Sequence, residues 1–295
     1  MFGLIVQLKE ERMSKLSIAL CALSATLWVS SISAADKVIF VHGRSGDHCG
    51  TGTTDVNNYW GNSSNVDGGY EKHFVGYDGA SDPRTTGNCR AQTNLLTVLG
   101  TQCTGDNTCT VICHSAGCYA MDYFTYKYPK YDINVNYILA SAAATGGSEL
   151  ANLKFWSDSG MVGALKTGNA RSFNHNITAG IGRWHMAGHE GYGGVSYITS
   201  GMLPGEDDGA VSYHSSCGKN STTMWVGRSW WNWSGTSSDW DECKSDGRNW
   251  DGHYHLGKSD LSSSDSQIGY NSGLQGYNDD HSTIKETTRR VFNAW

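Results

Sequence analysis

The chain has 295 residues, enough for one large α/β domain with a full core or for two small domains. Charged residues make up only 17% of it, the formal net charge at pH 7 is −6, and no basic stripe appears, so nothing in the sequence indicates nucleic-acid binding. Glycine is abundant, with 37 residues, and proline is scarce, with 3. Aromatic residues are spread among the glycines, so we interpret the glycines as turn and loop positions rather than as disorder.

Residues 1–35 have the features of a secretory signal peptide. If translation starts at Met13, Lys15 forms a basic n-region and Leu16–Ser30 an apolar core, and the small residues after it offer a cleavage site. A membrane anchor is the alternative, but the apolar run has about 15 residues where a span needs about 20. No later stretch could cross a bilayer. We therefore expect residues 36–295 to be exported to the periplasm or secreted.

Export would favour disulfide bonds. Removal of Cys21 with the signal peptide leaves an even number of cysteines, as expected in an oxidising compartment. The local pairs that we expect are Cys49–Cys89, Cys103–Cys109 and Cys217–Cys243, and Cys113 and Cys118 could bridge each other. The connectivity stays open at this point, and a zinc site without paired C-x-x-C spacing is a weaker alternative. Its ligands would be His48, Cys49, Cys109, Cys113 and His114.

The first predicted element is a strand at the start of the mature chain, Asp36–Gly43, centred on the apolar run Val38–Val41. Its consecutive β-favouring apolar residues are typical of a strand buried on both faces, as in a parallel sheet. His42, Gly43 and Arg44 follow this run directly. Such a loop can supply the backbone N–H of Arg44 to an oxyanion if a nucleophile lies downstream, and is otherwise a plain glycine turn. Residues 45–87 predict loops with one short strand near 72–77.

The next stretch predicts a helix and then a sharp strand-turn-helix. Asn88–Gly100 has leucines at helical spacing and ends in glycine. In Thr108–Ala120, a β-prone run passes through a serine into small, helix-tolerant residues. This is the pattern of a nucleophile elbow, G-x-S-x-G, with Cys113 in place of the first glycine. The elbow would expose the hydroxyl of Ser115, and we interpret His114 as a packing or supporting residue.

The elbow strand and the helix predicted after it, Ala116–Tyr128, begin a strand-helix-strand unit. Val135–Ala140 predicts a buried strand, so the order β-α-β indicates a parallel sheet. Ser148–Leu153 opens another helix, and 193–200 is a further strand candidate. The acidic turn at Asp207 and Asp208 comes after these elements.

In proteins with this elbow the chain order is serine, acid, histidine. We select Asp208 as the acid because it directly precedes the turn glycine, with Asp207 as the alternative. His281 lies just before the last predicted helix, whereas His253 and His255, its rivals, precede no helix. We also expect Thr283 to start that helix in a capping box with Glu286.

Residues 217–276 are rich in tryptophan, glycine and serine and have neither a helical nor a strand period. We interpret them as an insertion pinned by Cys217–Cys243. Because tryptophan is mostly buried, a small core of its own is favoured over a lid or a surface for lipid, polymer or sugar. A structural calcium ion is a weak alternative, since no EF-hand spacing appears.

Taken together, the motifs resemble those of secreted α/β hydrolases of the bacterial lipase/esterase type, in family order across nearly the whole mature chain. The matching segments are His42-Gly43, His114-Ser115-Ala116-Gly117, Gly147-Ser148-Glu149-Leu150-Ala151, Asp207-Asp208-Gly209-Ala210-Val211, Ser215-Ser216-Cys217-Gly218 and Asp280-His281. Cys113 in the elbow and the long insertion before His281 depart from the family pattern.

The resemblance implies an α/β-hydrolase fold with a mostly parallel central sheet flanked by helices, and a carboxyl-ester hydrolase acting on a small-molecule, lipid or polymer ester. It implies Ser115, Asp208 and His281 as a catalytic triad, with the backbone N–H groups of Arg44 and Ala116 as the oxyanion hole. No cofactor and no catalytic metal are expected. The alternatives are an amidase or peptidase with the same triad and a non-catalytic glycan- or polymer-binding module; oligomeric state is not indicated.

Overall fold

The computed structural model describes residues 36–45, 48–128, 132–153, 159–170, 172, 181–188, 202–203, 207–216, 273–277 and 279–294. The predicted signal peptide, the strand candidate 193–200 and the pair Cys217–Cys243 lie outside these ranges. So do His253, His255 and nearly all of the predicted insertion.

A six-stranded, all-parallel sheet forms the centre of the fold. Its strands are β1 (Asp36–Val41), β2 (Glu71–Val75), β3 (Thr108–His114), β4 (Val135–Ser141), β5 (Gly182–Gly188) and β6 (Gly273–Tyr277). They lie in the order β2-β1-β3-β4-β5-β6. Because all strands run the same way, the loops after β1, β3, β4 and β6 meet at one edge of the sheet.

Seven α-helices are described alongside this sheet. They are α1 (Ala91–Gln102), α2 (Ala116–Lys127), α3 (Glu149–Asn152), α4 (Gly160–Leu165), α5 (Thr167–Ala170), α6 (Tyr213–Ser216) and α7 (Ile284–Asn293). Two short 3-10 turns, Val56–Asn58 and Gly61–Ser64, lie in the long connection between β1 and β2. No helix in the described part of the chain has both the length and the apolar character needed to cross a bilayer.

The sheet separates two hydrophobic cores, and the strand pattern explains why. In β1, Ile39 and Val41 belong to the core shared with α1 and α2, whereas Val38 and Phe40 belong to the core shared with α7. Successive side chains of a strand point to opposite faces, so an uninterrupted apolar run serves both cores. Full burial of each such side chain contributes about 1.5–3 kcal/mol. The double-sided burial predicted for this strand is confirmed.

Helix α7 covers its core with one apolar face. Its buried positions follow the spacing i, i+3, i+4, i+7, i+8 of an amphipathic helix. They are Ile284, Thr287, Thr288, Val291 and Phe292. This packing holds the N-terminal end of α7 against the sheet, directly after the predicted base His281.

Several sequence-based boundaries differ from the structure. Helix α1 does not end at Gly100 but continues to Gln102, and the N–H of Cys103 closes it on the carbonyl of Leu99 at 2.9 Å. Strand β5 was not predicted. Strand β6 overlaps the end of the predicted insertion 217–276: residues 273–276 pair with β5 in the sheet, so the insertion boundary at 276 is too late.

Three disulfide bonds connect described cysteines: Cys49–Cys89, Cys103–Cys109 and Cys113–Cys118. They include both predicted local pairs in this part of the chain and the bridge across the elbow. Three cysteines proposed for a zinc site, Cys49, Cys109 and Cys113, are therefore bonded to sulfur. The structure thus contradicts the zinc alternative.

Candidate active site

Ser115 stands at the sharp turn between β3 and α2. Its backbone has φ 55° and ψ −128°, a strained conformation for a residue with a side chain. Three backbone bonds hold it there: its N–H donates to Ser141 at 3.0 Å, and its carbonyl accepts from Cys118 at 3.0 Å and Ala144 at 3.1 Å. The predicted elbow geometry is therefore present, with the side chain presented at the tip of the turn.

Close backbone approaches surround the elbow. A Cβ on Gly117 would lie 2.3 Å from the carbonyl oxygen of His42, and one on Gly43 would lie 2.7 Å from the Cβ of Ser115. Glycine is therefore required at both positions for α2 and the loop after β1 to meet at the serine. At the position of the usual first glycine, the Cys113–Cys118 disulfide instead ties the end of β3 to the first turn of α2.

The structure brings Ser115, His281 and Asp208 into one hydrogen-bonded line. His281 Nε2 lies 2.8 Å from Ser115 Oγ, and His281 Nδ1 lies 2.8 Å from Asp208 Oδ2. Since a carboxylate only accepts, Nδ1 carries the proton and donates it, which leaves Nε2 free to accept from the serine hydroxyl. The side chains of Asp208 and His281 are 1% and 11% exposed.

Asp208 and Asp207, the two candidate acids, have different surroundings. The second oxygen of Asp208, Oδ1, accepts the N–H groups of Ala210 at 3.0 Å and Val211 at 2.8 Å, which fixes the carboxylate in place. The Oδ1 of Asp207 instead accepts the N–H of Gly209 at 2.8 Å and closes the turn. Asp208 is thus the acid that contacts the histidine.

His281 is held by a capped turn at the start of α7. Asp280 Oδ1 accepts the N–H groups of Ser282 at 2.7 Å and Thr283 at 2.9 Å, and Thr283 Oγ1 accepts the N–H of Asp280 at 3.0 Å. The predicted capping box from Thr283 to Glu286 is wrong: Thr283 makes no side-chain cap bond to α7. The reciprocal bonds instead join Asp280 and Thr283, three residues earlier in the chain. Aspartate suits this position because it is a strong N-cap residue.

His114, the residue before the serine, connects two parts of the site. Its Nε2 lies 2.7 Å from the carbonyl oxygen of His281, so Nε2 carries a proton and donates it. Its Nδ1 then accepts from the Tyr59 hydroxyl, 2.5 Å away. Burial, followed by the electrostatic interactions with His281 and Lys285, lowers the pKa of His114 well below its usual value. His114 is therefore a neutral link between the loop after β1 and the turn that holds His281.

His42 supports the loop that carries Arg44. Its Nε2 accepts the N–H of Tyr77 at 3.0 Å, so its Nδ1 is protonated and donates to the carbonyl of Gly43 at 2.7 Å. The ring also stacks on Tyr77 with 4.2 Å between centroids. Burial lowers the pKa of His42 to about 4, so the imidazole is neutral at pH 7.

Ser115 and His281 line a cleft of about 310 Å³. Arg44 lies in its wall, and Ala116, directly after the serine, opens α2, where the first N–H groups of a helix have no partner within the helix. Tyr59 and Lys285 also line the cleft and were missed by sequence reasoning. For Lys285 a signal existed: it lies four residues after His281, in the first turn of the predicted terminal helix.

Solved structures of bacterial lipases resemble the chain over most of its length. A Bacillus licheniformis lipase in its mature form is 18% identical, with TM-score 0.50, and the match covers 88% of this chain and 91% of that one. A Staphylococcus hyicus lipase is 12% identical, with TM-score 0.53, and the match covers 88% and 92%. The fold is that of an α/β hydrolase. At these identities the likeness establishes the fold and leaves the activity to be argued from the site.

A metagenomic carboxyl esterase is matched only in part. The two chains are 17% identical with TM-score 0.46, and the match covers 63% of this chain and 60% of that one. No protein-family model matches the sequence, and no curated protein sequence matches it.

Proposed function

We propose that the protein is a serine hydrolase that cleaves carboxyl esters through an acyl-enzyme. The observation that carries this proposal is the hydrogen-bonded line from Ser115 Oγ through the His281 ring to Asp208 Oδ2. Its two 2.8 Å separations are within the range that nucleophile-base and base-acid pairs need.

In the proposed reaction, Ser115 Oγ attacks the ester carbonyl while His281 Nε2 takes its proton. The same nitrogen then protonates the departing alcohol, and the acyl group stays on Ser115. A water molecule, deprotonated by His281, attacks the acyl carbonyl; the bond to Ser115 Oγ breaks, His281 returns the proton to Oγ, and the acid leaves. Asp208 keeps the ring in the correct tautomer and stabilises the imidazolium, and no cofactor takes part.

We assign the oxyanion hole to the backbone N–H groups of Arg44 and Ala116. The close approach of Gly43 to Ser115 supports this assignment, because it brings the loop after β1 to the reacting hydroxyl. The neutral His42 supports it further by fixing the Gly43 carbonyl, one residue before Arg44. Removal of one oxyanion donor costs about 100- to 1000-fold in kcat in serine hydrolases.

We infer that the protein acts outside the cytoplasm. Three disulfide bonds in the described residues support this, since such bonds persist mainly in oxidising compartments. The predicted signal peptide leads to the same expectation.

The proposal is tested with a fluorophosphonate probe and a panel of para-nitrophenyl esters and anilides. We expect one probe per chain on Ser115, ester turnover by the wild type, and loss of both in Ser115→Ala with an unchanged circular dichroism spectrum. Ser172→Ala, an exposed serine, is the matched control and retains both. Folded wild-type protein that neither reacts with the probe nor hydrolyses any ester would contradict the proposal, and faster anilide turnover would make the enzyme an amidase.

A further inference from the structure

A lysine lies in the wall of the cleft beside the proposed base. Lys285 is in the first turn of α7, four residues after His281, and both side chains line the cleft. Its Nζ donates to the backbone carbonyl of Tyr59 at 2.8 Å and lies 4.6 Å from the centre of the Tyr59 ring. The ammonium group is thus held at a fixed place rather than at the end of a free side chain.

The Lys285 ammonium is partly buried and interacts electrostatically with other groups of the site. Burial lowers the pKa of Lys285, while Asp55 opposes that shift. The Oδ2 of Asp55 accepts the N–H groups of Trp60 at 2.8 Å and Gly61 at 3.0 Å, so that carboxylate is bound to its own loop. The positive charge of Lys285 also contributes to the lowered pKa of His114, next to the nucleophile.

The cleft has an unbalanced set of charges. Its described lining residues include two basic side chains, Arg44 and Lys285, and neither aspartate nor glutamate. Asp208 lies behind His281 and is 1% exposed. A partly desolvated cation in a cleft without lining carboxylates attracts anions more strongly than the same cation in water.

On the basis of the proposed ester hydrolysis, we propose that Lys285 selects esters that carry a second, anionic group, by binding that anion while Ser115 attacks the carbonyl. The anion is a carboxylate on the acyl chain or a phosphate on the alcohol. Each places a full negative charge within a few bonds of the ester, and the described cleft offers Lys285 to receive it.

The test compares each anionic ester with a neutral ester of the same acyl length. The acyl arm uses para-nitrophenyl hydrogen glutarate against para-nitrophenyl valerate, and the alcohol arm uses butyryl glycerol phosphate against butyryl glycerol. Lys285→Met removes the charge, Lys285→Arg keeps it, and Lys127→Met removes a charge from an exposed position at the end of α2. Rates are divided by the fraction of Ser115 that the fluorophosphonate probe labels, which corrects for misfolded protein.

We expect the anionic-to-neutral ratio of kcat/KM to fall about tenfold in Lys285→Met in at least one arm, and to stay within about threefold of wild type in the other two variants. Added salt should lower this ratio in the wild type. An equal loss for both esters of each arm would mean that Lys285 acts on the reacting centre or on the fold, and would overturn the proposal, as would unchanged ratios in both arms. When such a result is obtained while Ser115 reacts with the probe and the neutral esters are hydrolysed, only this inference fails. If the probe does not react and no ester is hydrolysed, the hydrolase proposal fails and this inference with it.

Discussion

The Nε2 atom of His114 lies 2.7 Å from the carbonyl oxygen of His281, so the residue before the proposed nucleophile is hydrogen-bonded to the residue proposed to deprotonate it. His114 is 4% exposed, and the Tyr59 hydroxyl occupies its other nitrogen. Loss of the imidazole would leave a partly buried carbonyl without this donor, at a cost of up to about 1–3 kcal/mol. The first prediction concerns this bond.

We predict that His114→Leu lowers kcat about tenfold or more with a smaller change in KM, because the turn that holds His281 loses its link to β3. His114→Gln, which keeps an N–H donor on a side chain of similar length, should recover part of the rate. Steady-state kinetics with a para-nitrophenyl ester measure both effects. Equal rates in wild type and His114→Leu would show that the bond does not position the base.

The elbow disulfide allows a comparison with a matched bridge on the same strand. Cys113–Cys118 and Cys103–Cys109 close loops of similar length, with separations of 5 and 6 residues, and each includes a residue of β3. Replacing either pair by alanine should cost about 2 kcal/mol in the free energy of unfolding, measured with urea. Only the loss of Cys113–Cys118 should lower kcat, by about tenfold, because only that bridge spans Ser115. Similar kcat losses in both double variants would argue against a special role for the elbow bridge.

The two neighbouring acids predict different effects on activity. Asp208→Asn should lower kcat by about 10⁴-fold, because the amide stabilises the wrong tautomer of the histidine. Asp207→Asn keeps an oxygen that can accept the N–H of Gly209, so its kcat should stay within a few-fold of wild type. The comparison uses variants with equal melting temperature. A large loss in Asp207→Asn alone would reverse the assignment.

His42 predicts a pH dependence of stability. Its pKa in the folded protein is about 4, below the usual 6.5, so the unfolded chain binds the proton more readily. The contribution of neutral His42 to the free energy of unfolding is complete above about pH 6.5. It falls by about 3 kcal/mol as the pH is lowered to 4 and below. Urea unfolding at several pH values measures this, and His42→Gln, which does not titrate, should have a shallower slope over that interval. A slope equal to that of wild type would assign the effect to other groups.

Gly117 and Gly163 predict opposite responses to an added methyl group. In Gly117→Ala the new Cβ would meet two backbone oxygens, those of His42 at 2.3 Å and Val41 at 2.6 Å, so the protein should lose several kcal/mol of stability. A Cβ on Gly163, inside α4, would meet no heavy atom of the described residues within 4 Å outside its own helix backbone and chain neighbours, so Gly163→Ala should gain up to about 1 kcal/mol. Melting temperatures measure both changes.

The strands that could be predicted from the sequence are those whose residues agree with their place in the fold. Asp36–Val41 and Val135–Ala140 are rich in β-favouring apolar residues, so burial in a parallel sheet follows from composition. Strand β5 lacks this signal. It begins and ends with glycine and includes His185, which is 0% exposed, so its pairing with β4 and β6 rather than its propensity determines the strand.

The site was predictable to the extent that chain order restricts it. The order serine, acid, histidine limited the acid to Asp207 or Asp208, but local sequence does not distinguish them, because both carboxylates accept backbone N–H groups of the same turn. Tyr59 has no local signal at all. It contacts His114, 55 residues later in the chain, and only the folded loop between β1 and β2 brings them together.

The reciprocal bonds between Asp280 and Thr283 fix the position of His281 relative to the first turn of α7. His281 is enclosed by that pair, and its N–H is bonded to the carbonyl of Asp208 at 3.0 Å. A rearrangement that widens the cleft by displacing His281 would have to carry the first turn of α7 with it and break the contact with the acid turn. A movement that widens the cleft and leaves this contact intact would therefore involve lining residues outside the turn that holds His281, such as Arg44.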